Sequence, residues 1–97
     1  MIVEKLIVIQ NKSGLHARPA ALFVQIANKY DSEITVIKDK EKVNGKSIMG
    51  ILMLAAGKGT KVTITASGHD AEKAVEELSK LLLEEETDFG FGGRYKK

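Results

Sequence analysis

Cysteine and tryptophan are absent from the 97 residues, and proline occurs once, at Pro19. Without cysteine there can be neither a disulfide nor a thiolate-held metal, and redox compartment cannot be read from cysteine usage. Aromatic residues make up 5 % of the chain, too few for the stacking platforms that single-stranded nucleic acids require. No apolar run approaches the roughly 18 residues of a membrane span, and no basic segment leads into a signal-type apolar core. The expectation is a cytoplasmic protein without membrane insertion. Net charge is +2, and Arg94, Lys96 and Lys97 concentrate positive charge at the very end. That excess is too weak and too local to make nucleic acid a direct partner.

What is present suits one small folded domain. The chain is 43 % hydrophobic and 29 % charged, ordinary values for a globular protein. A domain this short buries about 60–65 % of its unfolded surface, enough for one layer of helices on one sheet. Val62, Ile64 and Ala66 alternate with Thr63, Thr65 and Ser67, which predicts a strand over Lys61 to Ser67 with one wet face. Glu33 to Lys38 reads the same way, followed by a turn at Asp39 and Lys40 and a short strand near Val43. Ile2 to Ile9 is more continuously apolar and is expected to lie deeper in the sheet. Helical spacing appears over Ala17 to Tyr30 and over Asp70 to Leu83, with Asp70 the expected N-cap. A shorter helix is expected from Ser47 to about Ala55, ended by Gly57. The order βαββαβα with one-faced strands implies an α+β fold, an antiparallel sheet with its helices on a single side. Glu84, Glu85 and Glu86 crowd negative charge at the last helix's C-terminus, where fraying is expected. Residues 87–97 (TDFGFGGRYKK) carry three glycines and no periodicity, and read as a mobile tail.

The segment before the first long helix holds the strongest chemical signal. Gly14 permits backbone conformations closed to other residues, and Pro19 suits a helix's first turn. Together they place His16 at or just before the N-cap, with the first-turn amides directed toward its ring. A helix entrance offers N–H donors and about half a positive charge, a ready cradle for phosphate. Arg18 adds a guanidinium fork suited to phosphate oxygens. Imidazole is largely neutral and nucleophilic near pH 7. A nucleophile, an anion cradle and a charge clamp thus fall within a few residues, sufficient to accept and return a phosphoryl group if partners supply the rest. An isolated histidine beside a helix start would otherwise read as an ordinary surface residue.

Ser47 is a natural N-cap for the helix that follows, and a phosphate there would add close to two negative charges with little change of fold. Ile51 and Leu54 share the face expected against the sheet. Ile48, Met49 and Leu52 fall elsewhere and are expected to form an exposed apolar docking surface beside Ser47. His69 lacks a neighbouring arginine or proline and reads as a surface residue. Gly57-Lys58-Gly59 lacks the spacing of a phosphate loop, and one Gly90-Phe91-Gly92-Gly93-Arg94 run is weak evidence for RNA. No metal or cofactor is expected.

The run Gly14-Leu15-His16-Ala17-Arg18-Pro19-Ala20 closely resembles the active-site motif of HPr, the histidine-containing phosphocarrier family of the bacterial sugar phosphotransferase system. Lys46-Ser47-Ile48-Met49-Gly50 resembles the regulatory serine motif of HPr from Gram-positive-type bacteria. The resemblance covers residues 1 to about 86, taken as one HPr domain, and does not extend to the tail. It implies an open-faced sandwich, a four-stranded antiparallel sheet covered on one face by three helices. His16 would be phosphorylated by enzyme I, whose donor is phosphoenolpyruvate, and would pass the group to IIA domains of sugar permeases. Arg18 would hold the phosphate, with Gly14, Ala17 and Pro19 shaping the loop. Ser47 would be phosphorylated by HPr kinase/phosphorylase, and the seryl form would bind a catabolite-control transcription regulator. The chain would be a monomeric carrier rather than an enzyme. Three alternatives stand beside this reading. One is a regulatory paralogue acting only through Ser47, although such members of the family lack the histidine. The others are a nitrogen-branch carrier and a ferredoxin-like binding domain suggested by the element order alone.

Overall fold

The alternation in the sequence becomes a four-stranded sheet. In the computed structural model, which describes residues 1–12 and 14–84, the elements are β1 (Ile2–Val8), α1 (Ala17–Ala27), β2 (Glu33–Lys38), β3 (Glu41–Asn44), α2 (Ile48–Met53), β4 (Lys61–Ser67) and α3 (Ala71–Leu83). The expected tail and the expected fraying through Glu85 and Glu86 lie outside the described residues. The strand order is β1-β4-β2-β3, and every pairing is antiparallel. Register sorts the side chains by face: Ile7 lies opposite Val62, and Val36 opposite Ile64. These four are buried under the helices, whereas Thr63 and Thr65 stand on the outer face. The fold is an open-faced α+β sandwich.

β1 corrects the sequence reading. It is an edge strand, not a deep one, because β4 crosses back to lie between β1 and β2. Its apolar run arises because both faces carry large residues. Ile7 enters the core, while Ile2 and Leu6 remain 71 % and 64 % exposed on the open side. The core instead centres on Phe23 of α1, Ile51 and Leu54 around α2, and Leu78 and Leu82 of α3, all fully buried against the sheet. Burying a side chain like Phe23 contributes about 1.5–3 kcal/mol, so Phe23→Ala would leave a severe cavity.

The helix ends also differ from expectation. α1 stops at Ala27 rather than Tyr30, because the chain tightens there: the Lys29 N–H donates to Ile26 and the Tyr30 N–H to Ala27. Tyr30 then donates its hydroxyl to Glu77 of α3, which pushes the Tyr30 pKa up to about 12. Asp70 occupies the N-cap of α3 but makes no side-chain cap bond. Its carboxylate reaches across to the α1–β2 loop, accepting from the Asp31 and Ser32 amides at 2.9 and 3.0 Å and from the Ser32 hydroxyl. Gly68 makes this possible. With φ of +152°, it lies so close to Ser32 that a Cβ would come within 2.8 Å of the Ser32 backbone. The Ser32 hydroxyl and these amides hold the Asp70 carboxyl down at about 2.

Candidate functional site

The loop between β1 and α1 is held by backbone bonds to several parts of the fold. The Ile9 N–H donates to Thr60, the Gln10 N–H to Leu82 at the end of α3, and the Leu15 N–H to Ala56 beyond α2. Within the loop, the Gly14 N–H returns to Asn11 at 3.0 Å and closes a turn. Gly14 has φ +70°, and a Cβ there would meet the Ala56 carbonyl and the Gly57 Cα at 2.6 Å. Only glycine fits that approach. Leu15, only 3 % exposed, pins the loop to the core one residue before the histidine.

His16 is the N-cap of α1, extended at φ −99° and ψ −163°. Its carbonyl accepts from the Ala20 N–H at 2.9 Å, so the helix begins at its backbone. Its ring makes no cap bond to that helix. A capping side chain normally accepts from the second or third helical amide, and the third residue here is Pro19, which has none. His16, Ala17 and Arg18 are exposed, while Pro19 and Ala20 are buried and fix the turn in place. An exposed imidazole therefore stands at a helix entrance whose first-turn N–H groups have no intrahelical acceptors, with an arginine in the same turn. Chemically this suits an anion transferred to the ring nitrogen from outside.

α2 approaches the same loop from the other side. Ser47 is its N-cap, and its hydroxyl accepts from the Gly50 N–H at 3.1 Å. Ile51 and Leu54 are buried, whereas Ile48, Met49 and Leu52 are 39 %, 65 % and 37 % exposed. Met53, 71 % exposed, extends this surface. It was missed in the sequence although it lies four residues after Met49, which is the spacing of one helix face. The helix ends at Met53, and the turn after it falls at Ala55, not at Gly57: Ala55 has φ +49°. Lys38 donates its ammonium to the Leu54 carbonyl at 2.8 Å and closes that end. Because Ala56 accepts from Leu15, the exit of α2 and the histidine loop share a wall.

Asn11 had no signal in the sequence, since a polar residue between a strand and a helix is unremarkable there. It is 2 % exposed, and its amide nitrogen donates to Leu81 and Glu84 at 3.1 and 2.9 Å. His69 is exposed as expected, but it is paired with Asp31 at 3.0 Å, which raises its pKa. Asp31, His69 and Asp70 bring ligand atoms within 4.8 Å of one another at the opposite end of α1 from His16. His16 and His69 therefore do not form one site.

Residues 3–84 match the family model described as the PTS HPr component phosphorylation site. The HPr-like protein Crh of Halalkalibacterium halodurans is 49 % identical over 84 residues, which cover 87 % of this chain and all of that protein. The phosphocarrier protein HPr of Treponema pallidum is 43 % identical over 88 residues, covering 88 % of this chain and all of that one. The crystal structure of a phosphocarrier protein HPr from Bacillus anthracis superposes with a TM-score of 0.82 at 51 % identity, covering 84 % of this chain and 96 % of that one. Among the described residues, no helix is long and apolar enough to cross a membrane.

Proposed function

The chain belongs to the HPr family of the phosphotransferase system, and on that premise we propose that it carries a phosphoryl group on His16 between partner proteins. The observation that carries this reading is the exposed imidazole at the α1 entrance, in a loop held to α3 and to the α2 exit. The neutral ring nitrogen forms a bond to phosphorus while the bond from phosphorus to the donor breaks, the electron pair leaving with the donor. First-turn amides and Arg18 face the anionic oxygens during transfer. Gly14, Ala17 and Pro19 keep the ring at the surface, where a second protein can reach it. The donor is enzyme I, charged from phosphoenolpyruvate, and the acceptors are IIA domains of sugar permeases. The carrier is regenerated by these partners and turns over no substrate of its own.

Ser47 supplies regulation in the same proposal. HPr kinase/phosphorylase esterifies its hydroxyl, and the seryl form binds a catabolite-control regulator. Ile48, Met49, Leu52 and Met53 give the partners an apolar surface, and phosphate at its rim repels enzyme I. The 49 % identity to an HPr-like protein Crh favours a second reading, a regulatory protein working through Ser47 alone.

Two incubations followed by mass mapping separate the readings. With enzyme I and phosphoenolpyruvate, a carrier gains one acid-labile phosphate on His16, and His16→Ala gains none. With HPr kinase and ATP, Ser47 gains an acid-stable phosphate under either reading. Absence of label on His16 in the first incubation rejects the carrier and leaves the regulatory protein.

A further inference from the structure

We infer that Asn11 is a positioning residue for transfer at His16: by capping the carboxyl end of α3 it fixes the turn from which the histidine is launched. The inference rests on the carrier reading above and adds a residue to it. α3 has no glycine after its last turn to fold the chain back, and its C-cap, Glu84, is extended. The last carbonyls of a helix need donors from elsewhere. Here they come from the histidine loop, as Asn11 donates from one side-chain nitrogen to both Leu81 and Glu84, and the Gln10 N–H donates to Leu82. Both carbonyl bonds come from the same nitrogen, which fixes which way the amide faces. The backbone carbonyl of Asn11 in turn receives the Gly14 N–H and closes the turn leading to Leu15 and His16.

One residue thus joins three things: the end of α3, the start of the loop, and the turn before the nucleophile. There is an electrostatic side as well. Uncapped carbonyls at a helix end carry about half a negative charge. Left bare behind a loop that must accept a phosphoryl group, they would oppose the incoming anion, and the Asn11 amide covers two of them. An aspartate of the same shape would reverse this, setting a carboxylate oxygen against two carbonyl oxygens. Asn11 is buried and lies outside the exposed α2 surface, so partner docking should not sense it directly.

The test measures initial rates of His16 phosphorylation by enzyme I and phosphoenolpyruvate over a range of carrier concentrations. It compares the parent with Asn11→Asp and with Asn11→Ala, which adds no charge and stands in if the aspartate variant fails to fold. We expect kcat to fall about tenfold, short of the roughly hundredfold that a 1 Å misplacement of a reacting group can cost, with KM for the carrier changed less than twofold. Hydrogen exchange at the Gly14 and Leu15 amides should quicken while Val62 to Ala66 in β4 stay protected. Unchanged kcat in a folded variant, or a rise in KM at constant kcat, overturns the inference, as does unchanged exchange at Gly14 and Leu15. A parent chain that takes up no phosphate instead overturns the carrier reading, and the exchange arm, which needs no phosphate, keeps the two failures apart.

Discussion

Ala55→Gly should make this protein more stable. Ala55 follows the C-cap of α2, where the chain must turn out of the helix, and it does so at φ +49°. A side chain in that left-handed region brings Cβ against the carbonyl, costing about 1–2 kcal/mol. Glycine removes that cost but gives the unfolded chain more freedom, which returns about 0.5–1 kcal/mol. Ala55 is exposed, so losing its methyl opens no cavity. The balance is a gain of roughly 0.5–1 kcal/mol, or about 2–8 °C in Tm for a domain of this size. Urea titration should show a higher midpoint at the same slope, since the surface exposed on unfolding is unchanged. Ala55→Val, with a branched Cβ in the same conformation, should move the midpoint the other way. A glycine variant no more stable than the parent, or a valine variant equal to it, would refute the strain argument. Phosphate uptake should be unaffected, because the Ala56 carbonyl that receives the Leu15 amide remains in place.

Other consequences can be measured with the same reagents. Ser47→Ala removes the acceptor for the Gly50 amide and should lower stability by about 1 kcal/mol in urea titration, whereas Ser47→Asp, also a good cap, should lose less. The Asp70 carboxyl is held at about 2 in the folded chain, below its ordinary value of 3.8, so its contribution is complete above about pH 4 and disappears as pH falls toward 2. Asp70→Ala should therefore be less stable than the parent at pH 6, with the gap closing by pH 2. A gap that persists in acid would show that the carboxylate is not its source. His69 works in the opposite sense. Its raised pKa makes the pairing with Asp31 stabilising below about pH 6.5 and lost as pH rises through the folded value, so His69→Ala should differ from the parent at pH 5 and match it in alkali. Met49→Glu should raise KM for the carrier in the enzyme I assay and leave the rate at saturation unchanged, if the α2 surface is where that partner docks.

Much of the fold could be read from local patterns. The alternation over residues 61–67 and the three- and four-residue spacing of Ala71, Ala74, Val75, Leu78, Leu81 and Leu82 each report one buried face, and the structure buries those faces. The place of β1 could not be read this way. Period two says which face is dry but not which strand is a neighbour, and the crossing of β4 is decided by long-range pairing. Asp70 misled for a related reason. Its position and chemistry are those of a cap, but a loop distant in sequence offered it three better donors. At the site, the motif around His16 and the serine before α2 were visible because their meaning is local. Asn11 and Ala55 were not. The significance of Asn11 depends on carbonyls some seventy residues away, and that of Ala55 on a backbone angle that composition does not encode.

The close approach of Gly14 to the backbone at Ala56 and Gly57 bears on how such chains can diverge or be recombined. Two stretches distant in sequence are cut to one another at the level of a single missing methyl, so neither can be lengthened, shortened or exchanged alone. A graft of the histidine-bearing segment from a relative should succeed only when the exit of the second helix travels with it, and the pair ought to be treated as one inherited unit.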